Sequence, residues 1–272
     1  MKKEALKHIS TNHYRKIQKH LDRIAKNMDG EEIHQLRVEY KKLRAFFRML
    51  SSSPRVKEEI KVSKKLKQLY SLYGSVRDLQ LQQKRVKEAA KKDTGKIKAY
   101  LDLLQSKIDE TRPEIQDILS KKPVQESKKK TNAGLPDKFL KDDFHHFVEH
   151  KWSSVYAMLA SGHFSDDNIH SIRKHLKDLF YNLKEYEGKE YKVLSSSVWK
   201  GQDEKFIAEL LDELGTFQDR CTSISLLKAY WLKRFALPTK KFLDELKLQW
   251  LKEKAGMKRR LVKKLKTAIK AV

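Results

Sequence analysis

Apolar residues recur at steps of three and four along almost the whole chain, and clean alternation with a period of two is absent. That spacing lines one face of a helix, so the chain reads as all-α. The pattern predicts helices near residues 4–28, 31–51, 55–92, 95–120, 136–161, 166–187, 199–235 and 239–270. The breaks carry turn and capping chemistry. Asp29-Gly30 separates the first two helices, and Ser51-Ser52-Ser53-Pro54 the next two, with Pro54 placed to open a helix. Pro238-Thr239 precedes the last. Residues 121–136, KKPVQESKKKTNAGLP, are polar and lysine-rich with two prolines, and they read as a linker.

Short segments repeat on the two sides of that linker. Ile33-His34-Gln35-Leu36-Arg37 matches Ile169-His170-Ser171-Ile172-Arg173. Further on, Leu72-Tyr73-Gly74-Ser75-Val76-Arg77-Asp78 resembles Glu213-Leu214-Gly215-Thr216-Phe217-Gln218-Asp219, and the order is kept. The expectation is a duplicated unit of four helices within one domain spanning 1–272. Residues 1–122 would form the first repeat, 123–135 the linker and 136–272 the second. Short connections favour antiparallel neighbours, hence two four-helix bundles.

The most informative stretch is Ile33–Leu50, IHQLRVEYKKLRAFFRML. Ile33, Leu36, Tyr40, Leu43, Phe47 and Leu50 form its apolar row. One position later runs a basic row of the same spacing: His34, Arg37, Lys41, Arg44 and Arg48. One residue is a rotation of about 100°, so the basic row sits beside the buried one, near the junction with the next helix. Stems of long basic side chains pack there on apolar surface while their heads reach a groove. In the second copy Ile169, Ile172, Leu176, Leu179 and Leu183 are the apolar row. His170, Arg173, Lys177 and Lys184 are the basic one, interrupted by Phe180. A single basic stripe reads more readily as a solvated helix face. Its recurrence beside the apolar row in both halves favours a binding role.

Charge sharpens this picture. Lys and Arg number 61 against 36 Asp and Glu, a formal net charge of +25. Self-repulsion on that scale points to an acidic partner. Cations spaced about 5.4 Å apart along a helix suit a chain of phosphates better than one compact ligand. Arg engages phosphate oxygens bidentately, Lys adds a compact charge, and His adds a pH-dependent donor. Such binding should weaken steeply with salt.

Other signals narrow the class. The single cysteine, Cys221, permits no internal disulfide and reads as core rather than nucleophile. The basic N-terminus lacks the apolar run of a secretory signal, and no stretch of about 18 apolar residues exists. A soluble cytoplasmic protein is expected. No G-x-x-x-x-G-K loop, Mg²⁺-holding acid pair or nucleophile motif stands out, so no catalytic residue, cofactor or metal is expected. His146 and His150, one turn apart, are half of a metal site with no third ligand in view.

These residues resemble the conserved histidine α-helical domain, the CHAD family, whose mark is a His followed three residues on by Arg and then by further basic residues. His34, Arg37, Lys41, Lys42, Leu43 and Arg44 match it well, and Gly74-x-x-Arg77-Asp78 is similar to its second motif, G-x-x-R-D. The second copy keeps His170, Arg173 and Lys177 but departs at Asp178, Phe180 and Gln218, which implies fewer phosphate contacts there. The resemblance implies two bundles related by a pseudo-twofold around a basic central cavity, binding of inorganic polyphosphate without catalysis, and association with polyphosphate granules. Some relatives are fused to triphosphate-tunnel enzymes, a domain for which this chain has no room.

A second set of cations could extend the groove: His13, Lys16, His20 and Arg23 on the first helix, and Lys61, Lys64, Lys65 and Arg77 on the third. Glu204, Glu209, Asp212 and Glu213 on the corresponding later helix are expected to face solvent or pair with Lys. Asp78 and Asp219 should fix local structure or orient an Arg. The rival reading is a nucleic-acid-binding helical protein. It needs exposed aromatics for base stacking, whereas Tyr40, Phe47, Tyr70 and Tyr73 fall on or near apolar rows. The basic last helix, with Lys258, Arg259, Arg260, Lys263, Lys264 and Lys266, reads as either an anionic-surface contact or a solvated face.

Overall fold

The computed structural model describes residues 1–91, 95–185, 198–199 and 203–268. The predicted helix ends at 92, 186–187, 200–202 and 269–270 lie outside the described residues. No strand forms among the described residues, and the architecture is all-α as the periodicity requires.

The elements are α1 (Lys3–Asn27), α2 (Gly30–Ser51), α3 (Lys64–Ala90), α4 (Lys98–Asp109), α5 (Arg112–Ser120) and α6 (Pro123–Ala133). They continue with α7 (Lys141–Ala160), α8 (Asp166–Glu185), α9 (Glu204–Leu226), α10 (Ala229–Leu232) and α11 (Leu237–Ala268). α1 ends at Met28, held in the left-handed region at φ 54°, and Asp29 caps α2 by accepting from the Glu32 N–H at 2.9 Å. α2 packs on α1, α3 and α8, while α9 packs on α8 and α3. Helices α2, α3, α9 and α8 therefore close a circuit in which each touches the next. Both apolar rows lie inside: Ile33, Leu36, Tyr40, Leu43, Phe47 and Leu50 are buried, as are Ile169, Ile172, Leu176, Leu179 and Leu183.

Four boundaries differ from the sequence reading. Pro54 does not open a helix. α3 starts at Lys64, because Ser63 supplies the capping oxygen to the Leu66 N–H, and the residues before it are used to bury Ser53 and Ile60. The expected helix at 95–120 is broken between α4 and α5, where Pro113 falls in the first turn of α5. The helix expected over 199–235 ends earlier, at Leu226, with the short α10 following. The stretch 121–136, expected to be a polar tether, holds α6. This helix docks on α1: Ser127 Oγ and Thr131 Oγ1 lie 2.9 and 3.0 Å from the buried Tyr14 hydroxyl. Ser127 also accepts from the Ser63 N–H at 3.0 Å. Buried hydroxyls that satisfy one another cost little, so a helix without a strong apolar face is held down by tertiary hydrogen bonds.

Candidate functional site

The α2 basic row is held by α3. The Arg37 guanidinium lies on Gly74: a Cβ at that position would stand 1.9 Å from Arg37 Nη1. Glycine here is a space requirement, since any side chain would occupy the guanidinium's place. Arg37 Nη1 donates to the Tyr70 carbonyl at 3.3 Å, and the guanidinium carbon sits 4.7 Å from the Tyr70 ring centroid. Tyr70 stacks on Tyr40 at 4.1 Å between centroids, and Arg44 lies 5.8 Å from the Tyr40 ring. Two stacked tyrosines thus carry one arginine each.

The α8 row is built similarly on α9. Arg173 lies against Gly215, where a Cβ would stand 3.4 Å from its Nη2. Phe180, which interrupts the row in sequence, carries cations in space: Lys184 Nζ lies 4.5 Å and Lys177 Nζ 5.1 Å from its centroid. His34 lies in the field of Arg77 of α3, and His170 lies beside Gln218 of α9, its Nδ1 buried without a hydrogen-bond partner. Each G-x-x-R-D-like segment therefore seats one Arg of the neighbouring row on its glycine and lies beside one His.

The two rows share one electrostatic field. Burial pulls the Lys41 ammonium down to about 8, and the positive charges of Arg37 and Arg173 add to the effect; Asp219 and Asp78 oppose it. Burial lowers Lys177 as well, aided by Arg173 and opposed by Asp212, with Lys184 adding to the lowering. The exposed His34 and the half-buried His170 are both held below the usual imidazole value, first by partial desolvation. Glu31 then opposes the shift in His34, while Arg77, Lys41 and Arg37 add to it; Lys174 and Arg173 add to it in His170. Among the described residues, Arg37, Lys41, Arg44, Arg173 and Lys177 form no ion pair within 4.0 Å. The Arg173 Nε is buried without a hydrogen-bond partner.

Other predicted cations are taken up by acids. Both Arg48 Nε, at 2.9 Å, and Arg48 Nη2 donate to the buried Asp178, which also accepts from Lys151 Nζ at 2.9 Å. Asp178, read in sequence as a lost basic position, ties α2, α7 and α8 together. His13 is buried against Glu39 at 2.9 Å, and His20 and Arg23 share Glu32 at 2.6 and 2.8 Å. Lys61 pairs with Glu59 and Lys65 with Glu126, both at 2.7 Å. Lys16 and Lys64 are exposed. Of the second set, Arg77 is the one whose charge reaches the His34 end of the row; its Nη2 lies 4.0 Å from Glu31.

The sequence reading missed Arg85. It donates to Asp219 Oδ2 at 3.1 Å and to Ser223 Oγ at 2.7 Å, joining α3 to α9. No local pattern marks it, because its partners lie well over a hundred residues away. Asp78 and Asp219 lie in each other's field: burial raises the Asp78 carboxyl, Arg37 opposes this, and Asp219 adds to the rise. Cys221 is half-buried, its Sγ 3.9 Å from Asp166. Glu213 pairs with Lys264 at 2.6 Å. No group of three His, Cys, Asp or Glu suited to a metal occurs among the described residues, His146 and His150 included.

Against known proteins, the CHAD domain model matches residues 8–228. The structure is similar to the crystal structure of the CHAD domain from the plant Ricinus communis, at 18% identity and TM-score 0.71, covering 99% of this chain and 92% of that one. It is also similar to PptA from Streptomyces chartreusis, at 12% identity and TM-score 0.68, covering 97% and 98%. No curated protein matches the sequence.

Proposed function

Since the chain belongs to the CHAD domain family, we propose that it binds inorganic polyphosphate without cleaving it, along the facing cation rows of α2 and α8. The observation that carries this reading is the cluster of cations around Lys41, which Asp78 and Asp219 oppose only through space. Arg37 and Arg173, from two different helices, both act on it, and no described acid pairs with any of the three. Half-buried cations left together in this way raise the energy of the empty protein, and an anion relieves it. His34, Arg44, His170, Lys177 and Lys184 extend the rows in both directions, which fits a ligand with regularly repeated charge. Arg48 is assigned to structure through Asp178. Such binding would target the protein to polyphosphate granules or organise them.

RNA is the less suitable ligand. Tyr40 is buried beneath Tyr70 and Arg44, and Phe47 and Tyr73 are buried, so these rings offer no open face for a base. Titration with long-chain polyphosphate tests the proposal. Replacing Arg37 and Arg44 with Glu should weaken binding at least tenfold more than replacing Lys128 and Lys129 of α6. Equal losses would assign binding to diffuse charge. Incubation with polyphosphate and Mg²⁺ should leave the chain length unchanged, and shortening would overturn the non-catalytic part.

A further inference from the structure

α11 lies beyond the residues matched by the family model, and its outer face has a composition unlike the cation rows. Leu237, Leu248 and Leu251 are 76%, 61% and 38% exposed. At about 100° per residue they fall, with Ala255 and Val262, within a sector of about 60°. Lys241, Lys252, Arg259 and Lys266 border that sector on one side, and all four are exposed. Between Ala255 and Lys266 this face forms a shallow depression of about 710 Å³. After Glu253 the sequence contains no further acid. The opposite face is packed: Leu243, Leu246, Trp250, Leu261 and Leu265 are buried and Lys254 is tied to Asp166 at 2.7 Å, while Lys258, at the edge of the depression, is tied to Asp166 at 3.0 Å. The helix is thus anchored by one side and presents the other.

We propose that the outer face of α11 is a docking surface for bilayers containing anionic phospholipid. An apolar strip edged by Lys and Arg matches the boundary between acyl chains and acidic headgroups, where leucines insert and long basic side chains reach the phosphates. From Leu237 to Val262 the strip runs about 38 Å along one helix, interrupted at Asp244, whose charge is paired with Lys240 at 2.7 Å; its extended shape is suited to a flat surface. A free linear polyanion would gain nothing from the leucines. A second copy of the chain would bring Lys252 and Arg259 against their own equivalents.

Vesicle co-sedimentation of the full chain tests this. Binding to vesicles with about 30% anionic lipid should exceed binding to zwitterionic vesicles at least tenfold. Leu248→Gln with Leu251→Gln, and separately Lys252→Gln with Arg259→Gln, should each reduce it at least fivefold. All four side chains are exposed, so the fold is retained, and polyphosphate titration of the same variants should stay within twofold of the native chain. Equal binding to both vesicle types overturns the proposal. So does loss in the basic pair with none in the leucine pair, which would make the strip a plain polyanion contact. A change of oligomeric state in the leucine pair without loss of vesicle binding would assign the face to a second copy instead.

Discussion

Gly74→Ala separates the fold from the site. A methyl group at this position would stand 1.9 Å from Arg37 Nη1 and 3.0 Å from Cζ, so the guanidinium has to leave. Inside a helix the substitution itself contributes about 0.5–1 kcal/mol of stability. Against this, Arg37 loses its bond to the Tyr70 carbonyl and its seat on the Tyr70 ring, each worth about 1 kcal/mol. The net change is a loss of about 1–1.5 kcal/mol, a melting shift of roughly 2–6 °C for a chain of this size. Binding responds differently. A charge-assisted contact to phosphate is worth about 1.5–3 kcal/mol, so displacing Arg37 should weaken polyphosphate binding roughly ten- to hundredfold. Gly215→Ala is the control. A methyl group there would meet Arg173 Nη2 at 3.4 Å, which a small shift of the arginine accommodates, and binding should fall less than about threefold. The readouts are thermal unfolding and titration at fixed salt. Native-like binding by a folded Gly74→Ala chain would refute the placement of Arg37 in the site. Equal losses for the two alanine variants would refute the argument from the space at each glycine.

Two further predictions follow from the charge network. Affinity should fall as pH rises through about 8, because Lys41 loses its proton there, and should rise as pH falls below the ordinary imidazole range, because a bound phosphate lets His34 and His170 take one up. Lys41→Arg should abolish the loss above pH 8, and a flat profile for the native chain would contradict this assignment. Asp178→Ala strands the buried Lys151 beside Arg48 and should destabilise the protein by about 3 kcal/mol in denaturant unfolding. Burial raises the Asp178 carboxyl, but Arg48 and Lys151 outweigh it and bring it below its usual value. Its stabilising contribution is therefore present at neutral pH and is lost as pH falls below about 4, so native stability should drop there more steeply than that of Asp178→Asn.

The apolar rows were legible in the sequence because helical burial is local: residues three and four apart share a face whatever the partner is. The same periodicity placed His34, Arg37, Lys41 and Arg44 beside the seam on α2, and His170, Arg173 and Lys177 on α8. Which cations remain available is a different kind of fact. Arg48 and His13 occupy helix positions as good as Arg37's, yet Asp178 and Glu39 claim them from other helices, and nothing local announces those acids. The glycines of the repeated segments stood in the sequence only as part of a repeated motif, and only packing assigned them to Arg37 and Arg173. The helix in the expected linker depends on Tyr14 reaching Ser127 and Thr131 across the chain. Periodicity along one helix determines which face is buried. Charge compensation depends on distances of a few ångströms between segments far apart in sequence, and those distances exist only once the helices have packed.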